Sequence, residues 1–238
     1  MEPVVGGARA LRDAPEATLL AMRVPLAAHP PLPAWIADLA ALRGAFPQFP
    51  VIAVVPREAS PAVARLVCNL GKLGVRAVLG EDEPAYATLR PALASPVCLA
   101  RDVVEWLRLR RTALNPELEH VIHGIFEYAL HTREVSETCR IIGEPESSAR
   151  ARFRKKGLPP PSAWHQAARS LYAALRMQEN PACSVEAVAY EQGYGSHASL
   201  SRQLYRVFGL RPSALRGTLG WEWLLIRWQA RQAAAPCP

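Results

Sequence analysis

The chain has 238 residues, half of them hydrophobic and 21% charged, with a formal net charge of +7. This composition suits one or two globular domains with their own cores and excludes a disordered or collagen-like chain. Its five cysteines, Cys68, Cys98, Cys139, Cys183 and Cys237, form no close pair, which argues against a disulfide framework or a structural zinc site. No stretch approaches the roughly 20 apolar residues of a membrane span, and no apolar h-region opens the chain, so a cytoplasmic protein without a membrane partner is expected.

Residues 17–24 read as a short buried strand ended by Pro25. Residues 33–44 suit a helix, with Trp35, Ile36, Leu39 and Leu42 at helical spacing. Residues 51–55 (Val-Ile-Ala-Val-Val) are apolar throughout, as expected of a central parallel strand covered on both faces. Ser60-Pro61 opens a helix that runs to about Leu73, where Gly74 stops it. Another strand is read at 75–79 and another helix at 83–93. The alternation predicts a small α/β unit.

From Arg101 onward the pattern is helical. A leucine- and arginine-rich helix is expected over 101–114. Asn115-Pro116 then caps another, in which Leu118, Val121, Ile122, Ile125 and Ala129 trace an apolar stripe. The organisation read from these signals is an α/β domain over 1–97, a linker helix over 98–115, a helical domain over 116–228 and a tail over 229–238. Charge follows the same division, because residues 111–238 hold 16 basic and 11 acidic side chains and so carry most of the positive excess. A basic excess on one half is the footprint of a polyanion-binding domain.

The segment 184–215 carries the most chemistry. Ser184 caps a short helix containing Val185, Val188 and Ala189, and Gly193 ends it. Ser196 caps the next helix, in which Leu200, Leu204, Val207 and Phe208 form the buried side. The opposite side shows His197, Ser199, Arg202, Gln203 and Arg206. Two short helices joined by a tight turn, the second apolar on one side and hydrogen-bonding on the other, suit the DNA major groove. An ordinary amphipathic helix with a solvated polar face fits the same pattern.

A second unit precedes it. Residues 135–142 form a short helix ended by Gly143, and Pro145-Glu146 opens another. Five of the seven residues from Arg150 to Lys156 are basic, a density that calls for solvation or an anion. Residues 162–177 form a helix between the two units, burying Trp164, Ala167, Ala168, Leu171, Tyr172 and Leu175.

Region 116–215 resembles the DNA-binding domain of the AraC/XylS family of bacterial transcription regulators. The resemblance rests on the run from Val188 to Ser213, where Leu200, Ser201, Arg202, Phe208, Gly209 and Pro212 stand at the family's characteristic positions. It implies seven helices carrying two helix-turn-helix motifs on a shared connecting helix, with two heads entering successive major grooves. By the same resemblance His197, Ala198, Ser199, Arg202 and Gln203 read bases in the second head, and Ser147, Arg150 and Ala151 in the first. Ser196, Arg206, Arg154, Lys155 and Lys156 are expected at phosphates. The first head departs from the pattern, with Arg152 and Ala149 at positions that are usually bulky and apolar. Weaker packing of its recognition helix is therefore expected. The expected fold is an α/β N-terminal domain plus an all-α C-terminal domain with two helix-turn-helix motifs.

Region 17–94 resembles, faintly, the second half of a response-regulator receiver domain. Ala21 stands where a receiver has its phospho-acceptor aspartate, and Glu81 and Asp82 stand where a lysine is expected. The resemblance implies a degenerate, truncated unit that is not phosphorylated and serves dimerisation or a signalling contact. His120 and His123 lie three apart on one helix near Glu117, Glu119 and Glu127, which is not the metalloprotease spacing. They are read as a packed or solvated pair, so neither metal nor cofactor is expected, and no nucleophile set or phosphate loop suggests an enzyme. The expected partners are double-stranded DNA, a second copy of the chain and RNA polymerase, the last in an activator. Alternative readings are a small metal-dependent enzyme or a protein-binding adaptor that uses the Trp221, Trp223 and Trp228 cluster as a contact surface.

Overall fold

The computed structural model describes residues 20–23, 39, 41, 50–55, 70, 75–80, 98–110, 112, 114–217 and 220–234. Three strands, β1 (Leu20–Arg23), β2 (Val51–Val55) and β3 (Ala77–Gly80), form a parallel sheet in the order β1-β2-β3. Leu20 pairs with Val51 and Ile52 with Ala77. The unbroken apolar run of β2 places it at the centre, with Val51, Ile52, Ala53 and Val55 buried. Val51, Ala53 and Val55 pack with Leu39 and Leu70 in a small core. The helices expected at 33–44, 60–73 and 83–93 lie outside the described residues, apart from Leu39, Ala41 and Leu70, which are helical.

The rest of the described chain is helical. Its nine helices are α1 (Leu99–Leu109), α2 (Pro116–Tyr128), α3 (Val135–Ile141), α4 (Glu146–Lys155), α5 (Pro161–Glu179), α6 (Val185–Glu191), α7 (His197–Phe208), α8 (Pro212–Gly217) and α9 (Glu222–Ala234). The helix expected over 101–114 thus ends earlier, at Leu109. Thr112 N–H closes on Leu107 O at 3.1 Å, and the chain extends to place Asn115 as the cap of α2. There the Asn115 side chain accepts from Leu118 N–H at 3.0 Å, and Pro116 occupies the first turn, where its missing N–H costs nothing.

Apolar periodicity gives these helices one continuous core. Leu118, Val121, Ile122, Ile125 and Ala129 of the α2 stripe are all fully buried. Trp164 of α5 sits at the centre, edge-on to Trp228 of α9 at 4.7 Å and to Phe126 of α2 and Phe153 of α4 at 6.4 Å each. Trp221, Trp223 and Trp228 are buried in the same core, and Trp106 of α1 packs edge-on to Trp221 at 5.9 Å. The tryptophan-rich C-terminus is therefore core, and the adaptor reading loses its contact surface. No helix among the described residues is long and apolar enough to cross a membrane.

The sheet meets the helical body at one buried ionic contact. Arg76, just before β3, is 6% exposed and lies 3.4 Å from Asp102 of α1 and 3.3 Å from Glu222 of α9. Its guanidinium also lies over the Trp221 ring, 5.4 Å from the centroid. Burial raises the Asp102 carboxyl above the ordinary range, although Arg76 and Arg101 pull the other way.

Candidate nucleic-acid interface

The pairs α3–α4 and α6–α7 repeat one local geometry fifty residues apart. In the first turn Gly143 has φ 71°, Gly143 N–H donates to Arg140 O at 3.3 Å, and Glu144 N–H donates to Cys139 O at 2.9 Å. In the second Gly193 has φ 69°, Gly193 N–H donates to Tyr190 O at 3.0 Å, and Tyr194 N–H donates to Ala189 O at 2.8 Å. Both glycines take the left-handed conformation that a side chain disfavours, and both turns satisfy the same carbonyls at the end of the first helix. Each pair is a helix-turn-helix unit.

In the second unit Ser196 Oγ accepts from Ser199 N–H at 3.2 Å and starts α7. Leu200, Leu204, Val207 and Phe208 are buried as their spacing predicts, each stabilising the helix on its scaffold by about 1.5–3 kcal/mol. That fixes the opposite face. His197, Ala198, Arg202 and Arg206 are exposed, and Ser199 and Gln203 are half-buried. Arg202 has no ion pair or hydrogen bond among the described residues, so its five donors remain available. Arg206 is held in place, donating to Gln203 Oε1 and, at 3.1 Å, to Gln166 Oε1 of α5. At the far end of α7, Arg227 Nε donates to Phe208 O at 2.5 Å and covers an otherwise orphan carbonyl.

In the first unit apolar and charged contacts together seat α4. Ala149 and Phe153 of α4 are fully buried. Arg152, where a bulky apolar side chain is usual, is clamped by two carboxylates, Glu144 of the turn and Glu117 of α2, the latter at 3.0 Å. These pairs are partly solvent-exposed, Glu117 to 60%, and so add little to the hold of α4 on its scaffold. Ser147, Arg150, Ala151, Arg154, Lys155 and Lys156 are exposed. Arg150 pairs with Glu146 one turn earlier. Aligning the buried pair Ala149 and Phe153 with Leu200 and Leu204 puts Ala151 where the second unit has Arg202. Helix α4 therefore has a methyl group at the point where α7 carries a guanidinium.

Helix α5 ties the two units together through residues that sequence reasoning missed. Arg169 donates to Thr132 O at 2.7 Å and to Ala129 O at 3.4 Å, both in the loop before α3. Its other arm donates to Gln192 O at 2.7 Å in the second turn, and its guanidinium lies over Tyr194, 5.1 Å from the ring centroid. Gln166, the partner of Arg206, also lines a cleft of about 330 Å³ with Arg133, Ser136, Glu146, Arg150 and Ser162. Helices α4 and α7 thus both lie beside the same N-terminal stretch of α5. The partners of Arg169 lie 23 to 40 residues away in sequence, so no local pattern announced them.

Beneath the first unit His165 is 3% exposed, its Nε2 2.9 Å from Thr132 Oγ1. Thr132 Oγ1 donates to Tyr128 O at 2.9 Å and lies 2.8 Å from Thr138 Oγ1. The single Thr132 proton is then committed, so Thr138 and the His165 Nε2–H both donate to it, which fixes the neutral tautomer. Burial, with Arg169 adding to it, lowers the imidazole to about 4.

The fold and this face define a helix-turn-helix DNA-binding domain. The sequence model of a family described as a helix-turn-helix domain matches residues 138–218. The match supports an AraC/XylS-type helix-turn-helix domain in that segment and, in general terms, a DNA-binding transcription regulator. No curated protein and no solved structure matches the chain.

Proposed function

We propose that the chain reads specific duplex DNA by inserting α4 and α7 into successive major grooves on one DNA face. The observation that carries this reading is the repeated turn geometry together with the Arg169 and Gln166 links, which hold both heads against one stretch of α5. The second head supplies most of the sequence discrimination. Arg202 donates a bidentate pair to guanine, Gln203 meets adenine, and His197, Ala198 and Ser199 line the neighbouring base edges. In the first head Ser147, Arg150 and Ala151 face bases with less to offer, and Arg154, Lys155 and Lys156 grip phosphate. Ser196 and Arg206 take phosphates beside the second head.

The N-terminal α/β unit serves dimerisation or a signal contact without phosphorylation. Its parallel strands in chain order and Ala21 at the acceptor point on β1 support this reading. Such a regulator works in the cytoplasm, where the DNA is, and activation requires a contact with RNA polymerase. Binding to a selected duplex and to a scrambled one, each at two salt concentrations, tests the proposal. Arg202→Ala is expected to cost about 1–3 kcal/mol and to relax preference at one base pair. Lys155→Ala and Lys156→Ala are expected to weaken both duplexes alike and to reduce the salt slope by about 1 each. Equal affinity of the unaltered protein for both duplexes would sink the reading.

A further inference from the structure

Three side chains of different donor chemistry converge where α1 begins. Cys98 Sγ, a His123 imidazole nitrogen and a Glu127 carboxylate oxygen all lie within 4.8 Å of one another. His123 and Glu127 are one turn apart on α2, so the helix presents both on the same side. Cys98 is the residue before α1, with extended backbone (φ −152°, ψ 90°), and its thiol makes no capping hydrogen bond. Its neighbours on α2 have other tasks. Glu119 is bonded to Arg108 at 2.6 Å, Glu117 to Arg152 at 3.0 Å, and His120 Nε2 lies 3.2 Å from Ile142 O. His123 and Glu127 have no such partner among the described residues. The histidine pair considered from sequence is therefore split, one packed against backbone and one facing a thiol and a carboxylate.

We propose that Cys98, His123 and Glu127 form a three-ligand site for a divalent transition metal of the zinc class. The thiolate disfavours magnesium and calcium, and the mixed sulfur, nitrogen and oxygen set suits tetrahedral zinc with one position left for water. In such a site donor atoms stand about 3–4 Å apart. Small rotations of two exposed side chains and one half-buried thiol close the remaining gap. Binding expels the thiol proton, so affinity rises with pH. The bound ion joins the first residues of α1 to α2. Cys139, by contrast, is buried and away from this cluster.

The test is a titration of the full chain, reduced and stripped of metal, with Co²⁺ as a spectroscopic probe. One equivalent is expected to give a thiolate-to-cobalt charge-transfer band and the strong visible absorption of a four-coordinate ion, both bleached by Zn²⁺. Cys98→Ser removes the charge-transfer band. His123→Ala and Glu127→Gln, at exposed positions where circular dichroism should be unaltered, each lower cobalt affinity by about 10–100-fold. Absence of the band in the unaltered protein overturns the proposal. So does a band that persists in Cys98→Ser, or affinity untouched by both helix variants.

Discussion

At the level of single side chains, availability separates residues free to meet a ligand from residues that hold the fold. Arg202 is exposed without a partner among the described residues, whereas Arg169 is spent on backbone carbonyls from both helix-turn-helix units. The two arginines should therefore fail in different ways. Arg169→Ala leaves half-buried carbonyls without their charged donor and should cost on the order of 2–4 kcal/mol of unfolding free energy, measured in urea. It should also weaken binding to every duplex, because the heads lose a common support. Arg202→Ala should leave the urea midpoint within about 0.5 kcal/mol of the parent. If Arg169→Ala proved as stable as the parent, the link between the units would not be structural. Of these two only the exposure of Arg202 was legible in the sequence. Its outward placement follows from the spacing of Leu200, Leu204 and Phe208, which is local. The role of Arg169 depends on which carbonyls the folded chain brings to it.

Whole elements were legible wherever cap and periodicity coincided. Ser184, Ser196 and Asn115 each accept a backbone N–H at the helix start their position suggested. Those signals are weaker at α4, whose contacts combine a small side chain, Ala149, with an arginine paired to Glu117 on another helix. The network under it was illegible too, since a histidine within an apolar stripe does not show its partners. That network makes the first unit acid-sensitive. His165 stays neutral in the fold down to about 4, but takes up a proton near its ordinary value of 6.5 once unfolded. The unfolded chain thus binds the extra proton first. This contribution to stability is complete above that ordinary value and declines as pH falls toward 4, by on the order of 3 kcal/mol in all. Unfolding free energies from urea titrations across that window should fall in the parent. They should be flatter in His165→Gln, which loses the titration but keeps a donor for Thr132. An equally steep fall in the variant would place the acid sensitivity elsewhere.

In the whole molecule, the α/β unit and the helical body each have an apolar core, and a buried ionic cluster joins them. The two patterns stood out in the sequence, but not this contact, because Arg76, Asp102 and Glu222 are far apart in the chain and unremarkable in place. Glu222 is fully buried, and its second carboxylate oxygen accepts from Trp221 N–H at 3.2 Å, so it both starts α9 and receives Arg76. A carboxylate so enclosed depends on its cation. Arg76→Met keeps much of the side chain's volume but leaves Glu222 and Asp102 without the guanidinium, and should cost about 3–5 kcal/mol. Adding Glu222→Gln removes one stranded charge while preserving the acceptor for Trp221 N–H, so the double variant should recover part of that loss. The sign of the coupling is the decisive quantity: a double-mutant cycle in denaturant should give a double variant more stable than Arg76→Met alone. Additive losses would mean that the sheet is held to the helices by its apolar contacts, with Arg76 a bystander.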